Sequence, residues 1–238
     1  MATSTGSLPA SGGVTRQSDL ALWYKFDETS GTTAAPLIGS GDMTLTNGAS
    51  FASGINGNAI DYDGSNDYAE SASGPTVAGD CTLSWWVYPD SNASRRNMVG
   101  STNYWTTGKA NTFTATHTTG GDVYLLHTGA SPPASNYYLK TWDTNMSTGA
   151  WHHVALVLDT SANTVNCWVD GTDHGSQATS GYTFADISEG IICGMYYQGG
   201  AGPYGAFNGK IDDLRVYKEA LADGDIGDIY NSGDGDWG

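Results

Sequence analysis

Two adjacent aspartates, Asp212 and Asp213, are the first candidates for metal binding or acid–base chemistry in this sequence. They lie in residues 210–217, where alternating apolar residues are typical of a β-strand. Neighbours on a strand point to opposite faces, so the two carboxylates cannot share one ligand unless a bulge intervenes. The alternative to a ligand site is a surface ion pair between Asp213 and either Arg215 or Lys210.

Two adjacent histidines, His152 and His153, follow Trp151 and are the second candidates. The same alternation separates the two rings, which excludes chelation of one metal ion by both. We expect one ring to lie in the core and the other at the surface. A Ser/His/Asp triad stays open because its members can be distant in sequence, although no Gly-x-Ser-x-Gly segment marks a nucleophile elbow.

Aromatic residues within Gly-, Ser-, Asn- and Thr-rich segments are the third candidates. Such rings stack on sugar faces and anchor protein interfaces at low entropic cost. Many of them lie in residues 92–145, which we expect to form a loop-rich insertion on a rigid scaffold. The alternative is that most of these rings fill the core or hold long loops. The candidate ligand-binding residues are Tyr104, Trp105, Tyr137, Tyr138, Trp142, Tyr196, Tyr197 and Tyr204.

The charge balance limits the classes of partner. The 238 residues include 9 Lys+Arg and 25 Asp+Glu, a formal net charge of −16. This charge repels phosphate backbones, so we expect no nucleic-acid binding. It also argues against docking on anionic membranes. No stretch approaches about 18 apolar residues, so we expect no membrane insertion. The N-terminus lacks the basic and apolar regions of a signal peptide. The cysteines Cys81, Cys167 and Cys193 each lie in an apolar run, which favours buried free thiols.

Apolar residues alternate with a period of two from residue 19 onward, and this pattern predicts strands. Residues 82–88 form one strand that Pro89 ends, and residues 151–159 and 164–170 form a hairpin with its turn at 161–163. Further strands are expected near residues 55–62, 98–101, 111–117, 122–128, 191–197 and 210–217. Only residues 221–230 show helical spacing. The pattern predicts an all-β fold, a single antiparallel two-sheet jelly-roll sandwich.

The ends of the chain differ in composition from its middle. Residues 1–18 are small and polar and predict an N-terminal arm, residues 19–232 predict the jelly-roll domain, and residues 233–238 predict a solvated acidic tail. Such an arm is ordered only when it lies against something. It is therefore a candidate contact with its own domain, with a second copy of the chain, or with another protein.

Three groups of segments together resemble the laminin-G-like, concanavalin A-like jelly-roll family, in its divergent bacterial and phage form. The first is residues 22–31 with 45–49, the second is residues 60–68 leading into 82–89, and the third is residues 151–155 with 167–171 and 207–217. Their order and spacing agree with the family over residues 19–232. The resemblance implies two curved sheets packed face to face and a role in binding glycans or proteins without catalysis. It also implies one structural Ca²⁺, held by oxygen atoms of Asp212, Glu28 and Gly31, which are ligand types that Ca²⁺ prefers.

Some concanavalin-type jelly rolls are glycoside hydrolases, and those that cleave β-glucans carry a Glu-x-Asp-x-x-Glu strand motif. Its acids serve as nucleophile and general acid about 5 Å apart. None of the four glutamates, Glu28, Glu70, Glu189 and Glu219, has this spacing, and residues 186–189 are the nearest approach. We therefore expect no catalytic residues and no enzyme activity.

These observations predict a non-catalytic binding or adhesion domain for glycans or protein surfaces. The Met start, the lack of an export signal and the arm favour a phage virion surface protein, a capsid decoration or tail component made in the host cytoplasm. The alternative location is extracellular. Two other functions stay open: a purely structural virion protein that docks to a second copy or to a capsid or tail protein through its arm, and a polysaccharide-cleaving enzyme.

Overall fold

The computed structural model describes residues 14–77, 79–93, 95–102, 113–128, 137–179, 187–197 and 203–237. In chain order, the strands in these ranges are β1 (Leu20–Tyr24), β2 (Thr33–Ala34), β3 (Met43–Thr46), β4 (Ser50–Ser53), β5 (Asn58–Asp63), β6 (Tyr68–Ser71), β7 (Cys81–Pro89), β8 (Arg96–Ser101), β9 (Phe113–His117), β10 (Val123–Thr128), β11 (Tyr137–Trp142), β12 (His152–Asp159), β13 (Thr164–Val169), β14 (Thr172–Ala178), β15 (Ile191–Cys193), β16 (Tyr196–Tyr197), β17 (Pro203–Tyr204) and β18 (Asn208–Tyr217). The helices are α1 (Asp223–Tyr230) and the two 3-10 helices Gln17–Asp19 and Asn231–Gly233. None of the helices in the described ranges has the length and apolar character of a membrane span.

Two antiparallel sheets contain all of these strands except β16 and β17. Sheet A has the order β14-β13-β12-β7-β18-β5-β4, and β1 also pairs with β18. Sheet B has the order β11-β10-β9-β8-β15-β6-β3-β2. Strands β16 and β17 form a separate two-stranded ribbon. This architecture confirms the predicted all-β sandwich of two sheets.

The core lies between the inner faces of the two sheets. Trp85 and Leu156 from sheet A and Val99, Ala115 and Leu125 from sheet B belong to one buried apolar cluster and are fully shielded from water. The alternation seen in the sequence produces this cluster, because every second side chain of a strand points to the same face. The three cysteines are free and buried, as expected.

Most predicted strands correspond to observed ones, with shifts of a few residues at their ends. The strand expected near residues 191–197 is divided into β15 of sheet B and β16 of the ribbon. The hairpin of β12 and β13 has Asp159 opposite Thr164, so its turn lies where the sequence predicted it. The helix begins at Asp223 rather than at residue 221. Residues 92–145, expected to be a loop-rich insertion, supply β8, β9, β10 and β11, half of the strands of sheet B. The strands expected near residues 98–101, 111–117 and 122–128 correspond to β8, β9 and β10, whereas β11 was not expected.

The outer face of sheet A is covered by the two ends of the described chain. Val14, Trp23, Trp168, Ile226 and Ile229 form a second buried apolar cluster there. The predicted arm therefore contacts its own domain at Val14. The remaining arm residues, 1–13, lie outside the described residues.

Residues 233–237 of the acidic C-terminal segment are attached to the domain, which corrects the expectation of a solvated tail there. Arg215 is completely buried and donates to the backbone oxygen of Asp236. The Asp236 carboxylate lies 3.8 Å from the same guanidinium and accepts from the Thr15 N–H at 2.5 Å. Trp237 packs beside Trp86 with ring centroids 6.0 Å apart. A buried guanidinium requires acceptors, and this segment supplies them.

Candidate functional site

The ribbon of β16 and β17 places two of the predicted ligand-contacting tyrosines opposite each other. Tyr196 pairs with Tyr204, and their ring centroids are 6.5 Å apart. Tyr204 is 43% exposed, one of only two large apolar side chains among the described residues with such exposure. Gly205 follows with φ at 68°, and a Cβ there would lie 2.7 Å from the Tyr196 ring. Glycine is therefore required for the Tyr196 ring to cover the backbone beside Tyr204.

Asn97, at the start of β8, attaches this ribbon to sheet B. Its backbone N–H donates to the Gly205 oxygen at 2.8 Å, and its side-chain Nδ2 donates to the Met195 oxygen at 2.5 Å. Its Oδ1 accepts from the hydroxyl of Thr114. Asn97 is completely buried, so all three bonds form away from water, where an unmade bond would be costly. The position of the two tyrosines is thus set by sheet B.

A row of side chains continues from Asn97 across the outer face of sheet B. Asn97 lies opposite Thr116 of β9, and Thr116 lies opposite Tyr124 of β10. At a strand spacing of roughly 4.8 Å, Tyr124 is about 10 Å from Asn97. The exposed guanidinium of Arg95 lies 3.8 Å from the centroid of the Tyr124 ring. We call Arg95, Tyr196 and Tyr204, together with the buried Asn97 and Tyr124 that support them, the tyrosine surface.

Sequence reasoning identified Tyr196 and Tyr204 but missed Arg95, Asn97 and Tyr124. A signal for Arg95 was present, because Arg95 and Arg96 are adjacent in a chain that has only nine basic residues. Tyr124 and Asn97 lie at alternate positions within strands, where sequence alone does not distinguish the inner face from an outer face. Their role in this surface became visible only through the register of β8, β9 and β10.

Five of the predicted ligand-binding residues cannot be compared with this surface. Tyr104 and Trp105 lie outside the described residues. Tyr137 and Tyr138 lie in β11, at the edge of sheet B, and Tyr197 lies in β16, but their side chains are outside what the structure describes. These five positions remain predictions.

Trp142 is a core residue, which corrects its assignment as a displayed aromatic. Its side chain is 2% exposed, and its indole N–H donates to the Gly175 oxygen at 2.8 Å. Trp142 ends β11, where the alternation directs it to the inner face of sheet B. A ring in this position closes one end of the core and does not contact a ligand.

The predicted metal ligands Asp212 and Glu28 both contact one turn, residues 54–58. Asp212 Oδ2 accepts from the Ile55 N–H at 3.1 Å, and the Glu28 backbone oxygen accepts from Asn58 Nδ2 at 3.0 Å. Asp27 also contacts this turn, because its Oδ1 accepts from the Asn58 N–H at 3.2 Å. Burial, with the neighbouring charge of Asp213, raises the pKa of Asp212 to about 8.

Two carboxylate oxygens of these residues are of the type that Ca²⁺ prefers. Glu28 Oε2 and Asp212 Oδ1 are buried and have no hydrogen-bond partner among the described residues. The described part of the chain holds no group of three or more His, Cys, Asp or Glu side chains suited to a metal, so backbone oxygens would have to complete a site. Gly31, the third predicted ligand, lies in an exposed turn with φ at 92°. No described contact joins Gly31 to this region.

Asp213 points away from Asp212, and its partner is Arg215. Arg215 donates from Nε to Asp213 Oδ1 at 3.1 Å, and the Trp23 indole N–H donates to the same oxygen at 2.6 Å. The pair is buried rather than at the surface, which corrects that part of the expectation. The φ of Asp213 is 50°, and the pairing of β18 with β7 shifts between Asp212 and Arg215, so a bulge is present. The two buried carboxylates enter different environments, so they do not form an acid–nucleophile pair.

The two histidines behave as the alternation predicted. His153 is completely buried on the outer side of sheet A, where its ring lies beside Trp86 and stacks with Tyr230. His152 is partly exposed at one end of the sandwich. Burial, with the charge of Arg215, lowers the pKa of His153 to about 3, so this ring is neutral at pH 7.

Comparison with known proteins identifies a family and several solved structures that this chain resembles. The family model described as the concanavalin A-like lectin/glucanases superfamily matches residues 63–227, well over half of the chain. The comparison with curated proteins found no match. The fold is similar to that of the binding domain of botulinum neurotoxin serotype D, with TM-score 0.68 and 12% identity over 90% of this chain and 51% of that chain. This chain thus spans about half the length of that binding domain.

Two other solved structures are similar over more of their own length. Domain 4 of an extracellular arabinanase from Geobacillus stearothermophilus, in complex with arabinotriose, has TM-score 0.63 and 20% identity over 87% of this chain and 96% of that chain. The CBM40 of the Ruminococcus gnavus IT-sialidase, bound to α2,3-sialyllactose, has TM-score 0.53 and 16% identity over 62% of this chain and 80% of that chain. From the family match and the two-sheet sandwich together, the chain belongs to the concanavalin A-like lectin/glucanases superfamily.

Proposed function

We propose that this domain binds glycans through the tyrosine surface and does not cleave their glycosidic bonds. The observation that carries the proposal is the exposed Tyr204 ring beside Tyr196, fixed through Asn97 to the same sheet face that presents Arg95 on Tyr124. Rings with hydrogen-bonding tips suit the apolar faces and hydroxyl edges of sugars. A planar guanidinium donates to hydroxyl or carboxylate oxygens.

The family comparison supports a sugar ligand over a protein ligand. The arabinanase domain and the CBM40 are sugar-bound in their solved structures. The tyrosine surface also lacks the broad apolar area that stable protein partners bury, since Tyr204 and Leu37 are the only large apolar side chains that are well exposed among the described residues.

A glycan array followed by calorimetric titration of the best ligand tests this function. We expect Tyr204→Ala to weaken binding roughly 5- to 30-fold, because a stacking ring contributes about 1–2 kcal/mol. Tyr88→Ala is the matched control, since Tyr88 is a partly exposed tyrosine that contacts Trp151 on sheet A. Equal loss in both variants, or no glycan binding by the intact protein, would contradict the proposal.

The proposal extends to a structural Ca²⁺ held by Asp212 and Glu28, with Asp27 as a further carboxylate at the same turn. Hard oxygen ligands from carboxylates suit Ca²⁺, and the ion would supply the missing partner of the two buried oxygens. We expect Ca²⁺ to raise the melting temperature of the intact chain and Asp212→Asn to remove this increase. Asp223→Asn in α1 is the control that makes the same substitution elsewhere. An unchanged melting temperature on adding Ca²⁺ to chelator-treated protein would exclude the site.

We also propose display of this domain on a phage virion, as a capsid decoration or tail component, rather than free extracellular release. The small polar composition of residues 1–13 supports an attachment role for that segment. Mass spectrometry of purified particles tests this placement, and removal of residues 1–13 should release the domain from particles while glycan binding persists. A chain that binds no glycan but stays on particles would favour the purely structural alternative. Release of reducing ends from polysaccharides would favour the enzyme alternative.

A further inference from the structure

Two serine–histidine pairs arise from the adjacent residues His152 and His153, and they differ in access to solvent. In the first, Ser84 Oγ lies 2.8 Å from His153 Nε2. Both residues are completely buried, and His153 Nδ1 has no hydrogen-bond partner among the described residues. This pair therefore lacks an orienting acid and cannot be reached by a substrate.

The second pair includes an acid. Ser147 Oγ lies 3.0 Å from His152 Nε2, and His152 Nδ1 lies 2.7 Å from Asp170 Oδ2. A carboxylate accepts, so His152 Nδ1 donates in this contact, and Nε2 is the ring nitrogen that can accept the Ser147 hydroxyl hydrogen. This is the serine–histidine–aspartate relationship of acyl-transfer enzymes, which is recognised by geometry rather than by sequence order.

The backbone holds the three residues in place. Asp170 follows β13 with φ at 51°, and its Oδ1 accepts from the His153 N–H at 2.8 Å, which orients the carboxylate toward His152. Ser147 lies between two anchored residues: the Met146 N–H donates to Gly121, and the Gly149 N–H donates to Pro89, both at 2.8 Å.

The hydroxyl is accessible from solvent. Ser147 is exposed, while the side chains of His152 and Asp170 are 13% and 33% exposed. The backbone N–H groups of Ser147 and Thr148 donate to no acceptor among the described residues. We expect them to donate to the carbonyl oxygen of a bound ester, as oxyanion-stabilising groups do.

We propose that Ser147 is the nucleophile of a hydrolytic site for short-chain carboxylic esters, such as O-acetyl groups on glycans. This activity goes beyond the proposed glycan binding, which needs none of the three residues. The exposed position of Ser147 suits an ester carried on the surface of a larger molecule.

The reaction balances without a cofactor. Ser147 Oγ bonds to the ester carbonyl carbon while its proton passes to His152 Nε2, and the ester C–O bond breaks as the alcohol leaves with that proton. Water then attacks the acyl-serine, gives a proton to His152 and releases the carboxylic acid, and Ser147 regains its hydrogen. Asp170 stabilises the positively charged imidazolium formed in each step.

A fluorophosphonate probe tests the nucleophile in the intact chain, with the modified residue located by peptide mass spectrometry. We expect labelling at Ser147, and we expect hydrolysis of p-nitrophenyl acetate that falls about 100-fold or more in Ser147→Ala and His152→Gln. Ser161→Ala is the matched control, because Ser161 is also exposed but its hydroxyl donates to Asp159 instead of a histidine.

Asp170→Asn tests the positioning role, with the labelling rate and the melting temperature measured on the same sample. We expect slower labelling in a variant that still melts cooperatively. If that variant does not fold, Ser147→Ala and His152→Gln still decide the question. An unlabelled Ser147 in the folded protein, or equal labelling in His152→Gln, would overturn the proposal.

Discussion

The guanidinium of Arg95 lies 3.8 Å from the centroid of the Tyr124 ring on the outer face of sheet B. Tyr124 is only 6% exposed, whereas Arg95 is exposed. The ring therefore covers one face of the guanidinium and leaves its edge N–H groups available to a ligand. A cation over an aromatic face gains about 0.5–2 kcal/mol, so the arginine is held in place before a ligand arrives.

Replacing Arg95 with Ala should weaken glycan binding about 3- to 10-fold, because a pre-positioned set of donors is lost. Arg95→Lys should recover only part of this loss, since a lysine has no planar edge of donors. Calorimetric titration of the array-identified glycan measures both variants. Lys218→Ala removes the same charge from an exposed position after β18, and equal weakening there would mean that Arg95 acts only through net charge.

Lowering the pH from 7 to 5 should destabilise the fold through two buried histidines. Burial, with His152 nearby, lowers the pKa of His117 to about 4, and burial, with Arg215, lowers that of His153 to about 3. Below pH 6.5 the unfolded chain therefore binds more protons than the folded chain. The free energy of unfolding decreases as the pH is lowered, until the pKa values of the folded state are reached. Each histidine should lower the free energy of unfolding by about 2 kcal/mol when the pH falls from 7 to 5.

Urea unfolding of the intact chain and of His117→Gln at both pH values measures this loss. The raised pKa of Asp212 stabilises the fold as the pH falls, and it does so in both proteins. The effect of His117 is therefore the difference in pH dependence between the intact chain and the variant. The variant should lose about 2 kcal/mol less than the intact chain over this interval. Identical pH dependence in both proteins would contradict a buried neutral His117.

Removing one member of the buried Asp213–Arg215 pair should be costly. Arg215 Nη2 lies 3.0 Å from Asp213 Oδ2, and both side chains are at most 2% exposed. Arg215→Met leaves a buried carboxylate without its cation, so we expect a loss of about 3–5 kcal/mol in the free energy of unfolding. Arg16→Ala breaks the exposed pair with Asp19 and should cost below about 1 kcal/mol. Similar losses in both variants would show that burial does not decide the cost.

Two glycine substitutions should change stability in opposite directions. A Cβ at Gly54 would collide with the Asp212 carboxylate and the Asn58 backbone, so Gly54→Ala should destabilise the fold by about 1–3 kcal/mol. Gly227 lies in α1 with no atom within 4 Å of an added Cβ. Gly227→Ala should therefore stabilise the fold by up to about 1 kcal/mol. Thermal unfolding measures both, and a neutral Gly54→Ala would show that the turn at 54–58 can relax.

Much of the fold could be predicted from local sequence. The alternation in residues 151–159 and 164–170 identified β12 and β13 and their turn, because a half-buried strand needs apolar residues at every second position. The same rule correctly separated His152 from His153. It did not predict the bulge at Asp213, since a bulge depends on how β18 pairs with β7.

The candidate sites depended more on tertiary contacts. Tyr196 and Tyr204 could be proposed from their loop-like surroundings, but Trp142 had similar surroundings and lies in the core. Whether an aromatic residue is displayed depends on which face of a sheet it occupies and on what covers that face. Neither property is encoded within a few residues of the ring.

The sequence by itself determined the class of fold, the antiparallel strands and the opposite directions of neighbouring side chains, because these follow from a period of two and from local turn chemistry. Only the tertiary structure decided that Arg95 lies over Tyr124 and that Ser147, His152 and Asp170 form a hydrogen-bonded line. Such contacts join residues that lie on different strands or on the loops between strands. Their geometry is set by the pairing of those strands and not by any single segment.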